Sequence, residues 1–452
     1  MSATQNPTTV GVVGTHGKII GSSELPNGSR LRPTLVRNAV VSPPPVIILN
    51  LFYTGLGIAR QFAKSRVRVI GLSSDSKIYG NFTRFCEVRR APNSLGQPHE
   101  LKDMLLDSAE ELHGAIVFPT SDADLIFLER FRDTLESCYR LALPARGVLS
   151  RIINKDELMV AAMKAGVSAP KTYVLRSPAQ MELAAAEVGF PCVLKPVRSL
   201  DWRQGNDWRI IGRRKALCAN TLEELTQLYD RLSRVNPRVL VEELIPGDTD
   251  QLVTWGGYIG REGSRLTYFT ARKLIQSPDE FGSGCLVSND NVPDLLEPSL
   301  RLCQELNYEG IAEIEYKRDC RDGALKLIEM NPRHWDWHEL GSASGANLSL
   351  SAYRYLSGIQ IPGGKPARQR ATWIAEDAFT RQVVSNLLEG KRILPTLRRV
   401  IRGKHIYGMF RWNDPLPLLR YSVSVLAPEI IRSVSAKSAF KRVRLRPVKS
   451  DL

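Results

Sequence analysis

A chain of 452 residues, 43% hydrophobic and 24% charged, has material for two or three globular domains with sizeable cores. No uninterrupted apolar run reaches about 18 residues and the N-terminus lacks the basic-then-apolar order of a secretion signal, so a membrane span and export are not expected, and a cytoplasmic location is. The net charge of +15 sits at the ends, with 19 Lys/Arg against 6 Asp/Glu in residues 365–452 and 4 against 1 in residues 1–40, which leaves the body nearly neutral.

Residues 1–44, rich in Ser, Thr, Pro, Gly and Asn and closing on SPPP, are expected to form a flexible leader. Within it GTHGK (14–18) fails as a phosphate loop, because Val12 stands where the first glycine belongs and Ile19 where the hydroxyl belongs. VIILN (46–50) is an apolar run suited to a strand buried on both faces, followed by TGLGIARQFAK as a turn and an amphipathic helix. VRVIGLSS (67–74) predicts a second parallel strand, and GAIVFPTSDADLIFLERFRD (114–133) repeats strand, loop and helix. This rhythm predicts a doubly wound βαβ domain over 45–150. Gly55 and Gly57 read as a tight turn rather than a dinucleotide fingerprint, since Arg60 replaces the third glycine.

Beyond residue 150 the pattern changes. Helices are predicted at 154–167 and over SPAQMELAAAEVG, and strands at KTYVL, FPCVLKP and RVLVEELIPG. Strands then dominate to residue 331, broken by SPDEFGSG and a helix around 298–306. GANLSLSAYRYLSG predicts a late helix with Asn347 as its cap and Gly358 as its stop. The seven cysteines form no C-x-x-C pair and read as reduced thiols.

The chemistry concentrates in GIAEIEYKRDCRDG and LKLIEMNPRHW. Alternation places Glu313, Glu315 and Lys317 on one face, and parity places Leu325, Leu327, Glu329 and Asn331 on one face of the next strand. A hairpin pairing 319 with 325 sets Glu315 opposite Glu329. Like charges directly across strands destabilise a sheet, and a bound divalent cation is the usual reason to keep both. Glu315, Glu329 and Asn331 offer only oxygen, which suits Mg²⁺ completed by water and phosphate. The bland alternative is a solvated polar edge.

EIEY with LIEMNPR resembles the metal-binding end of the ATP-grasp superfamily, and other pieces recur in the expected order over roughly 46–360. The resemblance is to carboxylate-amine ligases of the D-aspartate ligase-like group. It implies an ATP-grasp fold, α/β and α+β, with an N-terminal doubly wound pre-ATP-grasp domain, then an ATP-grasp region over 151–360 with ATP between two α+β lobes, and a basic extension over 361–452. It further implies that Lys155 and Lys195 reach the nucleotide phosphates and that Glu242, Glu243, Leu244 and Ile245 form the strand on which adenine lies, Glu242 meeting the exocyclic amine. Asp250 would hold the ribose, Arg272 and Lys273 would neutralise the γ-phosphate, and Arg333 would hold the transferring phosphoryl group or the oxyanion. Two Mg²⁺ ions, replaceable by Mn²⁺, would sit on Glu315, Glu329 and Asn331. The chain departs from the family after the second lysine, where the Arg-rich loop 198–215, within VRSLDWRQGNDWRIIGRRKA, replaces the glycine-rich loop.

The expected activity is formation of an amide from a carboxylate and an amine through an acyl phosphate, on small-molecule substrates and in a possible homodimer. The alternative is a non-catalytic ATP-binding or scaffold protein. HWDWH (334–338) offers a helical zinc spacing without a third ligand; substrate contact by His334 or His338 and packing by Trp335 and Trp337 are the competing readings. Trp202 and Trp208 suit either ligand stacking or a loop lid. The basic tail reads as a solvated extension or a peripheral membrane contact, and without aromatic interleaving it does not read as a nucleic-acid surface.

Overall fold

The computed structural model describes residues 43–203, 207–212, 214–260, 265–358, 370–390, 400 and 404–426. The leader residues 1–42 and the basic end 427–452 therefore lie outside the described residues, and the readings made of them are not developed further.

Three sheets organise the chain. The first is wholly parallel, in the order β3-β2-β1-β4-β5, from Val46–Ile48 (β1), Val69–Ser73 (β2), Glu87–Arg90 (β3), Ile116–Phe118 (β4) and Arg140–Leu141 (β5). Val46, Ile47 and Ile48 are completely buried, as a strand covered on both faces requires. The helix Tyr53–Gln61 begins almost at once, so Gly55 and Gly57 lie inside it and not in the tight turn expected. Close approach explains both glycines: a Cβ on Gly55 would stand 1.7 Å from the Asn50 carbonyl oxygen, and one on Gly57 would stand 2.7 Å from His338 Nε2.

The second sheet is antiparallel, β6-β9-β7-β8, from Thr172–Leu175 (β6), Cys192–Pro196 (β7), Leu217–Ala219 (β8) and Val239–Glu243 (β9). Helices Met181–Val188 and Leu222–Leu232 bury Ala184, Leu225 and Tyr229 against it. The third and largest runs β14-β13-β10-β11-β12-β15-β16, from Leu252–Ile259 (β10), Arg265–Ser277 (β11), Ser283–Ser288 (β12), Gly310–Arg318 (β13), Leu325–Asn331 (β14), Ala371–Ile374 (β15) and Lys404–Tyr407 (β16). Helices Lys155–Lys164 and Leu296–Glu305 cover one of its faces through Leu158, Met159 and Leu302. The first sheet meets it through Ile48 and Phe118, in one cluster with Phe269 and Trp373. The late helix appears as Leu348–Leu356, where the Asn347 side chain accepts the Leu350 N–H at 2.8 Å and Gly358 takes φ +84°.

The C-terminal segment differs from the extension expected. β15 pairs antiparallel with β12, and β16 pairs parallel with β15, so residues from this part of the chain complete the largest sheet. Trp373 and Ile374 supply the apolar content that the surrounding positive charge obscured. A buried ion pair fixes the segment to the first domain: Arg60 Nε and Nη2 donate to Asp414 Oδ2 at 3.1 and 3.0 Å, and its guanidinium also reaches the Gly408 and Met409 carbonyls at 2.9 and 2.6 Å.

Candidate active site

A cleft of about 1250 Å³ lies between the second and third sheets, with the carboxyl ends of the first sheet's parallel strands forming part of its wall through Asn50, Thr120 and Asp122. That is where ligands of open parallel sheets bind. Its volume exceeds the roughly 300–1,000 Å³ usual for small-molecule pockets.

Its floor is the β13/β14 hairpin. Glu315 pairs with Glu329 and Glu313 with Asn331, as alternation expects, but the route to this register is different. Near the turn Arg318 pairs with Leu325 and Tyr316 with Leu327, one residue out of step with the expected pairing of 319 and 325. A bulge at Ile328 restores the offset. It also corrects the expected shared face: Leu327 and Met330 join the apolar core with Ile314 and Tyr316, whereas Ile328, Glu329 and Asn331 line the cleft. A strand of strict alternation could not bury Leu327 while opening Glu329 to the cleft.

Five polar side chains meet at this floor, in a trio and an ion pair. Asn331 Nδ2 donates to Glu313 Oε2 at 2.9 Å and to Glu329 Oε1 at 3.2 Å, and Lys273 forms an ion pair with Glu315. Burial, then the neighbouring Glu315 charge, pushes the Glu313 carboxyl up to about 8. Burial also acts to raise Glu329, but the ammonium groups of Lys273, Lys155 and Lys215 and the Asn331 amide outweigh it and hold the group at about 2. Among the described residues no trio of His, Cys, Asp or Glu is arranged to hold a metal by itself. Two opposed carboxylates and an amide nevertheless fit Mg²⁺, which takes one or two protein carboxylates and draws the rest of its shell from phosphate and water.

The cations converge on the same floor. Lys195 Nζ donates to Glu242 Oε1 at 2.5 Å, and Lys155 Nζ to Ser199 Oγ at 3.2 Å. Arg333 Nε donates to Asp122 Oδ1 at 2.8 Å, and Nη2 to Asn331 Oδ1 at 3.3 Å, tying the third sheet to the first. Asp122, missed in the sequence, is legible in retrospect as an acid just beyond the end of a parallel strand. The segment after β9 supplies the opposite wall. Glu242 is 3% exposed and its Oε2 has no hydrogen-bond partner, which leaves an acceptor for a ligand amine. The Glu243 carboxylate accepts from Arg321 Nη2 at 2.6 Å, Leu244 N–H donates to the Pro191 carbonyl at 3.2 Å, and Ile245 is buried beside them.

Several expected residues stand elsewhere. Arg272 does not line the cleft; its Nε donates to Asp290 Oδ2 at 2.7 Å and its Nη1 to the Asp250 carbonyl at 2.6 Å. Asp250 is likewise off the wall, where Asp248 and Thr249 stand instead. Strand alternation explains the first change, since Lys273 takes the cleft-facing side of β11 and its neighbour points away. His334 and His338 are buried and engaged inside the protein: His334 Nε2 with Ser349 Oγ at 2.7 Å, His338 Nε2 with the Thr54 carbonyl at 3.0 Å. Neither lines the cleft, so neither contacts substrate there. Trp335 and Trp337 pack on Phe269 and show an edge to the cleft, together with Asp336, which accepts from Thr54 Oγ1 at 3.1 Å. Trp202 is buried, and Arg203 lies over the Trp208 ring at 5.8 Å.

The fold is ATP-grasp, with an N-terminal doubly wound domain. The biotin carboxylase domain of 2-oxoglutarate carboxylase from Hydrogenobacter thermophilus, a dimer solved with MgADP, ADP and bicarbonate, superposes with a TM-score of 0.58 at 16% identity, covering 72% of this chain and 73% of that one. By sequence the chain is similar to ligases. A D-aspartate ligase from Enterococcus faecium is 21% identical over 318 residues, 67% of this chain and 74% of its own length. A D-alanine–D-alanine ligase from Ectopseudomonas mendocina is 26% identical over 203 residues, 44% of this chain, and the match spans 61% of that enzyme. No family model matches the chain.

Proposed function

We propose that the protein is an ATP-dependent carboxylate-amine ligase that forms an amide through an acyl phosphate and releases ADP and phosphate. The observation that carries this reading is the floor of the cleft, where Glu315 faces Glu329 beneath a ring of cations. A packing surface would gain nothing from buried, opposed carboxylates, whereas a site that handles a polyanion and its metal requires both signs of charge.

Adenine would lie along residues 242–245, with Glu242 Oε2 accepting from its exocyclic amine. Lys155 and Lys195 would hold the phosphates as mobile point charges. Glu315, Glu329 and Asn331 would hold Mg²⁺, which supplies charge neutralisation at the phosphates. Lys273 balances the carboxylates, and Arg333, fixed by Asp122, directs its guanidinium at the transferring phosphoryl group. Attack of the substrate carboxylate on the terminal phosphorus gives the acyl phosphate; the amine then attacks the acyl carbon and phosphate leaves. Such transfer depends on positioning and charge more than on a protein nucleophile. The similarity to ligases of amino acids makes amino acids the first substrates to try. The test is phosphate release from ATP with magnesium and paired amino acids: release that needs both partners supports the ligase, and release indifferent to any carboxylate or amine counts against it.

A further inference from the structure

Five cations of the cleft are held in two ways. Lys195, Lys273 and Arg333 are each paired with a carboxylate, on Glu242, Glu315 and Asp122. Lys155 and Lys215 are instead held by hydroxyls, Lys155 by Ser199 and Lys215 by Ser283 at 2.6 Å. An ammonium paired with a carboxylate must give up a strong partner to meet an incoming anion. One resting on a neutral hydroxyl gives up little.

Lys215 has a further distinction. It stands between the helix Asp207–Ile210 and β8, on the second sheet's side of the cleft, and reaches Ser283 at the start of β12 in the third sheet. Its ammonium therefore crosses the cleft. The charges that act on it most are Glu329, which attracts it towards the metal-binding floor, then Arg203 and Lys273, which repel it. It belongs to the segment that departs from the glycine-rich pattern. Among the described residues of this segment bulky side chains stand where small ones would otherwise be, with Trp202 buried and Arg203 over the Trp208 ring.

We infer that Lys215 contacts the terminal phosphate of the bound nucleoside triphosphate, exchanging Ser283 Oγ for a phosphate oxygen, and so does in this chain what a glycine-rich loop would otherwise do. The inference rests on the nucleotide-binding reading above. The consequence is selectivity for triphosphate over diphosphate, because the contact is absent when the γ-phosphate is absent.

The experiment is calorimetric titration of the full chain with magnesium and either adenylyl imidodiphosphate or ADP. For Lys215→Met we expect the imidodiphosphate to bind roughly tenfold or more weakly, the size of a lost charged hydrogen bond, with ADP within about twofold of wild type. Lys215→Arg should recover most of the loss, and Ser283→Ala should keep or tighten imidodiphosphate binding. If Lys215→Met and Ser283→Ala weaken both nucleotides equally, the pair merely holds the lobes together and the inference is wrong. An unchanged ratio of the two affinities in Lys215→Met overturns it as well. Wild-type protein that binds neither nucleotide removes the ligase reading itself, a result distinct from either of these.

Discussion

His338 should make the protein lose stability in mild acid. The imidazole is completely buried, with Nε2 at 3.0 Å from the Thr54 carbonyl and Nδ1 at 2.9 Å from Gln61 Nε2. These partners assign the tautomer: Nε2 carries the proton and donates, and Nδ1 accepts from the amide. A second proton on Nδ1 would face the Gln61 amide donor. Gln61 cannot simply turn its oxygen inward, because Oε1 already accepts the Ser349 N–H at 3.2 Å. Burial thus lowers the imidazole from 6.5 to about 4. Above pH 6.5 the ring is neutral folded and unfolded, and stability does not depend on it. Below 6.5 the unfolded state takes up a proton that the fold refuses, so stability falls until about pH 4, by about 2.5 kcal/mol between pH 7 and pH 4.5. His334, its ring centre 4.6 Å away, is also held well below its ordinary range by burial and then by His338 and Arg333, and adds a loss of the same sign. Urea unfolding at the two pH values, with His338→Gln for comparison, reads the difference, and imidazole resonances report the titration directly. A His338 resonance that titrates near 6.5, or a variant that loses as much stability in acid as wild type, would refute the reasoning.

Two substitutions probe the fold and the site separately. Arg60→Met leaves Asp414 buried with only Thr83 Oγ1 and the Arg84 N–H as donors, and should cost about 3–5 kcal/mol in denaturant unfolding, as for one half of a buried pair. A loss below about 1 kcal/mol would mean that this clasp does not secure the C-terminal strands. Glu329→Gln should fold with a normal circular dichroism spectrum while losing ligase turnover by at least about a hundredfold, the scale of losing charge stabilisation at a transferring group. Undiminished turnover would remove Glu329 from the site.

Much of the parallel sheet was legible because apolar runs such as VII at 46–48 and VIGLS at 69–73 carry their own burial signal. The floor of the site was half legible. Alternation set Glu315 against Glu329, but the bulge at Ile328 depends on the turn Asp319–Ala324, and local periodicity cannot register a slip of one residue that is later undone. Arg272 and Lys273 were indistinguishable by composition; only the side of β11 separates them. His334 and His338 drew attention by their four-residue spacing just beyond the metal-binding strand, yet their partners Thr54, Gln61 and Ser349 come from two other helices and could not be read from HWDWH. The strands at 371–374 and 404–407 were hidden by the basic residues around them, and what identifies them is pairing with the distant β12. No helix among the described residues is long and apolar enough to cross a membrane.

The central claim is a nucleotide site whose metal is held by Glu315, Glu329 and Asn331. Its most direct test is isothermal titration of purified protein with adenylyl imidodiphosphate, with and without Mg²⁺. Binding that requires magnesium is the predicted result; absence of binding in both conditions by a folded sample would contradict it.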